Sequence, residues 1–119
     1  IDQSIAMGAL LTARHLGAKA IVALTDSGST ALWMSRHDIH VPIYALTPRL
    51  ETQRKMALYR NVRPILMDIS ADRDTALDQA EGHLLRRDIV HSGDVYAITC
   101  GEPIGAPGGT NMLKICRVA

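Results

Sequence analysis

Aromatic residues, cysteines and unbalanced charge are all scarce in this 119-residue sequence. Aromatic side chains make up 3% of the residues and phenylalanine is absent, which excludes the stacking platforms that hold single-stranded nucleic acid. The formal net charge is +1, and the sequence has no block of basic residues to attract nucleic acid or an anionic membrane. Neither nucleic acid nor a membrane is therefore expected as a partner.

Cysteines and long apolar runs are also too few to support several classes of protein. Cys100 and Cys116 cannot form a disulfide framework or a zinc site by their spacing, so we expect a cytoplasmic protein without a metal. The apolar runs are too short to cross a bilayer. With 47% hydrophobic residues the chain can form one core, which predicts a single domain over residues 1–119. Because the sequence begins at Ile1 without a leader, we expect a piece of a longer polypeptide.

Strand-length apolar runs alternate with segments of helical length. The pattern predicts strands at 20–24, 42–46, 63–67 and 94–100, and helices at 2–16, 28–37, 48–59 and 72–87. Such alternation indicates right-handed βαβ units and a parallel sheet with helices on both faces. The predicted fold class is therefore α/β, with three layers around a twisted, mostly parallel, five-stranded sheet whose central strand is 20–24.

Local signals refine three of the helices. The first helix should stop at Gly17, a good helix terminator. In the helix predicted at 72–87, Leu77, Ala80 and Leu84 fall on one face, which should be buried. For the helix at 48–59, Thr47 is predicted as the N-cap and Pro48 as the first helical residue.

The last strand departs from the alternation. Only GEPIGAPGG, residues 101–109, separates the fourth strand from TNMLKICRV, and nine residues cannot form a crossover helix. The final strand should therefore return antiparallel at an edge of the sheet. With the turn centred in the middle of that loop, Cys100 would lie opposite Asn111. Cys116 would lie opposite Val95, so the two thiols would not be cross-strand partners.

Small hydroxyl-bearing residues follow the predicted central strand in the stretch LTDSGSTA, positions 24–31. Ligands in open α/β sheets bind beyond the carboxyl ends of the strands. The helix expected next would leave the amides of Gly28, Ser29 and Thr30 free for an anion, and the hydroxyls nearby add donors. These features are typical of a phosphate monoester site. The alternative is that Asp26 or one of the serines only caps the helix.

A second loop lies at the same rim. GEPIGAPGG contains four of the nine glycines of the chain and follows the fourth predicted strand, so the two loops can close over one ligand. The alternative is a long hairpin turn without a partner.

The ordered series AIVALTDSGSTA, SR, PIYALTPRLETQRKMALYRNVRPIL, HSGDVYAITCG and GGTNMLKI resembles the C-terminal domain of pyruvate kinase over almost the whole chain. The resemblance implies the regulatory domain of a phosphotransferase whose active site, with its magnesium and potassium ions, lies outside this sequence. This domain would carry no catalytic residue, metal or cofactor of its own. It would help to assemble a homotetramer.

The resemblance also assigns roles to the two loops. The first would grip the phosphate of an allosteric activator through Thr25, Asp26, Ser27, Gly28, Ser29 and Thr30. The second would fold over that activator, and its candidate residues are Gly105, Ala106, Gly108 and Gly109.

Four departures from the family pattern bear on the activator. Members that use fructose 1,6-bisphosphate carry a lysine at the position of Asp26 and an arginine near Pro103. They also carry a tryptophan and an arginine near the positions of Ile69 and Ala76. A second phosphate would therefore lose charge-assisted hydrogen bonds worth about 1.5 to 3 kcal/mol each. We predict a monophosphate activator, such as a pentose or hexose monophosphate or AMP.

Several other residues carry weaker signals. His37 and His40 could suggest a metal, but no further ligand stands at a suitable spacing. Trp33 either stacks on a sugar or base or packs against a neighbour. The basic residues that could complete the phosphate site are Arg36, Arg49 and Arg54.

Two other function classes stay open at this point. Sugar isomerase domains also hold a phosphosugar with a loop of the S-x-S-G-x-T type, and DSGST at 26–30 is compatible with that pattern. In a pure oligomerisation module the loop would be only a helix cap. No phosphate compound would then raise the melting temperature.

Overall fold

The computed structural model describes residues 1–101, 104 and 109–119. The elements that these residues form are α1 (Asp2–Leu16), β1 (Ala20–Leu24), α2 (Ser29–Ser35), β2 (Ile43–Thr47), α3 (Leu50–Met56), β3 (Val62–Leu66), α4 (Arg73–Arg86), β4 (Val95–Cys100) and β5 (Met112–Arg117). Each predicted element is present, and the two short helices α2 and α3 are shorter than their sequence patterns. None of the helices in the described ranges is long and apolar enough to span a membrane.

The five strands form one sheet in the order β3-β2-β1-β4-β5. The first four are parallel, and β5 runs antiparallel to β4 at the edge. The prediction of a mostly parallel α/β sheet with β1 at its centre is confirmed. All five residues of β1 are buried, as expected for a parallel strand covered on both faces.

Two hydrophobic clusters cover the two faces of the sheet. On one face, α1, α2 and α3 pack against side chains that include Ile21 and Ala23 of β1. On the other face, α4 packs against a cluster that includes Val22 and Leu24. Since successive side chains of a strand point to opposite faces, β1 contributes to both layers. The predicted buried face of α4 is confirmed, with Leu77, Ala80 and Leu84 all in its cluster.

The β4–β5 register differs by one residue from the predicted pairing. Cys100 lies opposite Met112 rather than Asn111, and Cys116 lies opposite Tyr96 rather than Val95. A shift of one residue exchanges the two faces of a strand. The observed register places Met112 and Cys116 in the same cluster as Tyr96 and Cys100, whereas the predicted one would have turned them to the other face. The two cysteines are not cross-strand partners, as predicted.

The start of α3 was also wrongly predicted. The N-cap is Arg49, with φ −106° and ψ 119°, and Thr47 is the last residue of β2. Thr47 is buried and pairs with Leu66 across the β2–β3 ladder, so it belongs to the strand and lies two residues before the N-cap. The Thr47 hydroxyl instead accepts a hydrogen bond of 3.2 Å from the Arg49 amide. By contrast, α1 ends at Gly17 in the left-handed conformation, as predicted.

Candidate functional site

A cavity of about 410 Å³ opens at the carboxyl ends of the parallel strands. Its hydroxyl and carboxyl side chains come from the first predicted loop, from Thr110 after the second loop and from Asp2 in the first turn of α1. The residues that line it are Asp2, Leu24, Thr25, Asp26, Ser27, Ser29, Thr30, Pro48, Ile69, Cys100, Gly101, Ile104, Gly109 and Thr110. The two loops singled out in the sequence therefore meet at one cavity.

Most predicted residues of the first loop line this cavity. Gly28 does not line it, although its neighbours on both sides do. Of the predicted residues in the second loop, Gly109 lines the cavity. Gly105, Ala106 and Gly108 lie outside the described residues.

Hydrogen bonds within the first loop use part of its donor capacity. The Gly28 amide donates to the Thr25 hydroxyl at 2.8 Å, so the expectation of a free amide at Gly28 is wrong. The Ser29 amide makes a longer bond of 3.3 Å to the Ser27 hydroxyl, and these two serine hydroxyls share a bond of 2.8 Å. The loop is thus closed by its own hydroxyl groups, which sequence spacing alone did not reveal.

The first turn of α2 retains donors beyond this loop. The first bond along the helix runs from the Leu32 amide to the Gly28 carbonyl at 2.9 Å. The amides of Thr30 and Ala31 precede it and therefore have no acceptor within α2. Thr30 is also one of the residues that line the cavity.

A buried hydrogen bond connects the first loop to the start of the last strand. The hydroxyls of Thr30 and Thr110 are 2.6 Å apart, and both side chains are buried. Gly109, which precedes Thr110, has φ 76°, and a Cβ at this position would collide with the Asp2 carboxylate. The chain segment leading into β5 therefore packs tightly between α1 and α2.

The helix α3 supports the first loop from behind. The Thr52 hydroxyl donates to the Asp26 carbonyl at 2.8 Å. Gly28 has φ 86°, and a Cβ there would lie 3.1 Å from Met56 Cγ and 3.6 Å from Thr52 Cγ2. Glycine is thus required at position 28 for its backbone conformation and for the close approach of α3.

Two cavity residues with polar hydroxyl or carboxyl side chains escaped the sequence analysis. Asp2 is one residue from the start of the sequence, and Thr110 follows the second loop. The neighbours of Asp2 in sequence carry no ligand-binding pattern, and the pattern of the second loop ends at Gly109, one residue before Thr110. The polar residue Thr110 just before an apolar strand was the one local signal available.

The electrostatics of the cavity are unusual for an anion site. No lysine, arginine or histidine among the described residues lines it, whereas Asp2 and Asp26 do. Arg49 and Lys55 line an adjoining cleft of about 390 Å³, which shares Asp26 and Ser27 with the cavity. Cationic side chains therefore flank the cavity from behind the Asp26–Ser27 turn.

The charge of Arg49 is already engaged by a neighbour. Its guanidinium donates to Glu51 through Nε at 3.1 Å and also through Nη2. The hydrogen bond and charge of Glu51, with a smaller contribution from Asp26, raise the pKa of Arg49 above its usual value. An anion in the cavity would compete with Glu51 for this side chain.

The other residues considered in the sequence lie away from the cavity. The Arg36 guanidinium lies 4.7 Å from the centre of the Trp33 ring, and Trp33 packs against the cluster on the α1 face. Arg54 is exposed and does not line the cavity. His37 and His40 line a different cleft. The described residues contain no group of three or more side chains that could hold a metal ion.

Comparison with known proteins identifies the family. The profile of the family described as "Pyruvate kinase, alpha/beta domain" matches residues 3–116. The chain belongs to this family. Its resemblance to the C-terminal domain of pyruvate kinase is thereby confirmed, and the sugar isomerase interpretation loses its support.

Similar proteins include pyruvate kinases from several bacteria. Pyruvate kinase of Buchnera aphidicola subsp. Baizongia pistaciae is 37% identical over 119 residues, which is 99% of this chain and 25% of that protein. Pyruvate kinase II of Salmonella typhimurium gives the same identity and coverage. Pyruvate kinase of Staphylococcus aureus is 40% identical over 104 residues, or 87% of this chain and 18% of that protein.

Solved structures of pyruvate kinase from Cryptosporidium parvum share the fold of this pyruvate kinase domain. One has a TM-score of 0.87 at 24% identity, covering 100% of this chain and 23% of that chain. The other, in complex with ADP, has a TM-score of 0.88 at 25% identity, covering 100% and 24%. The chain likewise spans about a quarter of the length of the Buchnera aphidicola and Salmonella typhimurium proteins named above.

Proposed function

We propose that this chain is the regulatory domain of a pyruvate kinase and that its cavity binds a phosphorylated allosteric activator. The observation that carries the proposal is the meeting of the hydroxyl-rich first loop and the second loop at one cavity at the carboxyl ends of the strands. The buried bond between Thr30 and Thr110 connects the first loop to the residue that follows the second loop. Ligand binding there would act on both loops at once.

The chemistry of the lining suits a sugar monophosphate or AMP. Hydroxyls of Thr25, Ser27 and Ser29 and the first-turn amide of Thr30 are donors for phosphate oxygens. Ile69 and Ile104 provide apolar surface for a sugar or base. The volume of about 410 Å³ falls within the range of roughly 300 to 1,000 Å³ typical of small-molecule sites.

The charge of the lining favours one phosphate over two. Asp2 and Asp26 face the cavity, and no cation does so within the described ranges. A second phosphate would be placed near these carboxylates without a charge-assisted hydrogen bond to offset its desolvation. A monophosphate should therefore bind more tightly than fructose 1,6-bisphosphate.

Activation would follow from linkage between the cavity and the active site. An activator that binds the active state better than the inactive one shifts the population by its differential affinity, typically about 1 to 3 kcal/mol. This shift requires no catalytic residue in the domain itself.

The family membership supports further proposals about the whole enzyme. It would transfer a phosphoryl group from phosphoenolpyruvate to ADP, with magnesium and potassium ions bound outside this chain. The domain would contact other subunits of a cytoplasmic homotetramer. The solved pyruvate kinase of Cryptosporidium parvum in complex with ADP supports the nucleotide substrate.

Titration calorimetry with ribose 5-phosphate, glucose 6-phosphate and fructose 1,6-bisphosphate tests the proposal. We expect one of the monophosphates to bind most tightly, and tightest binding of the bisphosphate would refute the charge argument. A ligand at 100 times its dissociation constant should also stabilise the chain by about 2.7 kcal/mol. If no phosphate compound raises the melting temperature, the domain is only an oligomerisation module.

A further inference from the structure

Basic side chains gather in a cleft at the end of the sheet opposite the cavity. This cleft of about 320 Å³ lies where β2 and β3 begin, next to Pro42 and Asn61. We call it the basic cleft, and its ionisable lining residues are His37, Asp38, His40, Arg60 and Arg63. Two guanidinium groups and two imidazoles thus share the cleft with one carboxylate.

Asn61 fixes the shape of the basic cleft. It adopts the left-handed conformation with φ 63°, and its side-chain amide donates to the Ile39 carbonyl at 3.2 Å and the Val41 carbonyl at 2.8 Å. Its own carbonyl accepts from the Ile43 amide at 3.1 Å. The segment that carries the two histidines is therefore held against the segment that carries the two arginines.

The two arginines have unused capacity for an anion. Arg63 donates from Nη1 to the Tyr44 hydroxyl at 3.3 Å, and its guanidinium lies 5.6 Å from the centre of the Tyr44 ring. A guanidinium has five N–H donors, so most of them stay available. In the described part of the chain, neither Arg60 nor Arg63 forms an ion pair with a carboxylate.

We propose that the basic cleft is a second ligand site, which binds a small, doubly charged phosphate group. Guanidinium groups match the oxygen geometry of phosphate and bind it by two parallel hydrogen bonds. His37 and His40 add ring N–H donors on the opposite wall. The group is either free inorganic phosphate or the phosphate of a monoester. This site is separate from the activator cavity, which lies at the opposite end of the sheet.

Nuclear magnetic resonance of the isotope-labelled 119-residue chain, titrated with inorganic phosphate at constant ionic strength, tests the proposal. We expect saturable shifts of the backbone amides at 37–42 and 60–63. Arg60→Gln and Arg63→Gln should each weaken phosphate binding about tenfold by removing charge-assisted bonds. Arg14→Gln is the matched control, because Arg14 is exposed on α1 and does not line the cleft. It should leave binding unchanged.

A second titration with a phosphate monoester distinguishes the two sources of phosphate. Equal affinity of the ester and inorganic phosphate indicates a site for free phosphate, and tighter binding of the ester indicates a monoester site. The proposal is overturned if inorganic phosphate shifts only residues 25–30. It is also overturned if Arg14→Gln weakens binding as much as Arg60→Gln, since the attraction would then come from net charge alone.

Discussion

The two ends of the sheet carry clefts whose linings differ in charge. The cavity at the carboxyl ends is lined by hydroxyls, two carboxylates and, within the described residues, no cation. The basic cleft at the amino ends of β2 and β3 is lined by two arginines and two histidines. Position in the fold and pocket shape therefore favour the first site, whereas charge favours the second.

This contrast predicts different responses to salt. Binding through hydroxyls and amides should depend weakly on ionic strength, while attraction between exposed guanidinium groups and an anion is screened within about 10 Å at 0.1 M salt. The same phosphate ester can thus report on both ends of the sheet in one titration series.

The largest expected effect is confined to the cavity at the carboxyl ends of the strands. Gly28→Ala forces a side chain into a left-handed conformation and against Met56, which should lower the free energy of unfolding by about 1 to 3 kcal/mol and abolish monophosphate binding in the cavity. Urea unfolding and calorimetry measure the two effects. Phosphate binding in the basic cleft should persist.

A matched glycine separates the two contributions to that loss. Gly93 has φ 88°, but a Cβ there would meet nothing within 4 Å. Gly93→Ala should therefore show the backbone cost without loss of monophosphate binding. Equal loss of binding in both variants would contradict the role given to the contact between the first loop and α3.

The next effect concerns the buried hydrogen bond between the Thr30 and Thr110 hydroxyls beside the cavity. Thr30→Val leaves the buried Thr110 hydroxyl without its partner, which should cost about 1 to 3 kcal/mol of unfolding free energy. Thr30→Val with Thr110→Val removes both polar groups and should cost less than the sum of the single changes. Chemical denaturation of the three variants tests this, and strictly additive losses would contradict the bond.

A smaller effect is expected from Glu51→Gln, which should make binding in the cavity depend on salt more as binding in the basic cleft does. Glu51→Gln releases the guanidinium of Arg49, so monophosphate affinity should rise about two- to fivefold and become more sensitive to salt. Calorimetry at two ionic strengths measures this change.

Two further variants test whether that gain passes through Arg49. In an Arg49→Gln background, Glu51→Gln should give no gain in affinity. Arg54→Gln removes a neighbouring charge that lines neither the cavity nor the adjoining cleft next to Arg49, so it should have no effect on monophosphate affinity. A gain that survives without Arg49 would mean that Glu51 acts only through net charge.

The smallest effect concerns α4, which begins shortly after the cavity residue Ile69. The Asp72 carboxylate accepts hydrogen bonds from the Thr75 hydroxyl and amide, and these bonds lower its pKa. A lowered pKa stabilises the fold above the unfolded-state value of 3.8, and this contribution is lost as the pH falls through the folded-state value. Asp72→Ala should slightly lower the melting temperature at pH 7.

The pH dependence supplies the check on that prediction. The difference in melting temperature between Asp72→Ala and the unchanged chain should shrink as the pH falls to about 2. Asp74→Ala is the control, since Asp74 lies in the first turn of the same helix and pairs with the exposed Arg73 rather than capping the helix. A pH-independent difference at Asp72 would contradict its role as a charged cap.

The sheet could be predicted because local patterns determine it. Buried runs such as residues 20–24 and the periodic apolar face of α4 each indicate one element, and alternation of the two indicates parallel pairing. The β4–β5 register could not be obtained in this way. It depends on which face Met112 and Cys116 turn towards, and that is decided by packing against Tyr96.

The candidate site was predictable only in part for the same reason. The hydroxyl-rich loop after β1 is continuous in sequence, so its place at the rim followed from the fold. Asp2 and Thr110 reach the cavity through tertiary packing. The internal bond from the Gly28 amide to Thr25 and the engagement of Arg49 by Glu51 are matters of side-chain geometry that residue order does not encode.

The bond from Thr52 to the Asp26 carbonyl connects the wall of the cavity to α3. A ligand that draws the Asp26–Ser27 turn inward pulls on α3 at a buried anchor, while the outer surface of this helix, with Leu50 and Arg54, faces away from the sheet. Any movement of this turn would thus be passed to the exposed side of α3, a helix of seven residues.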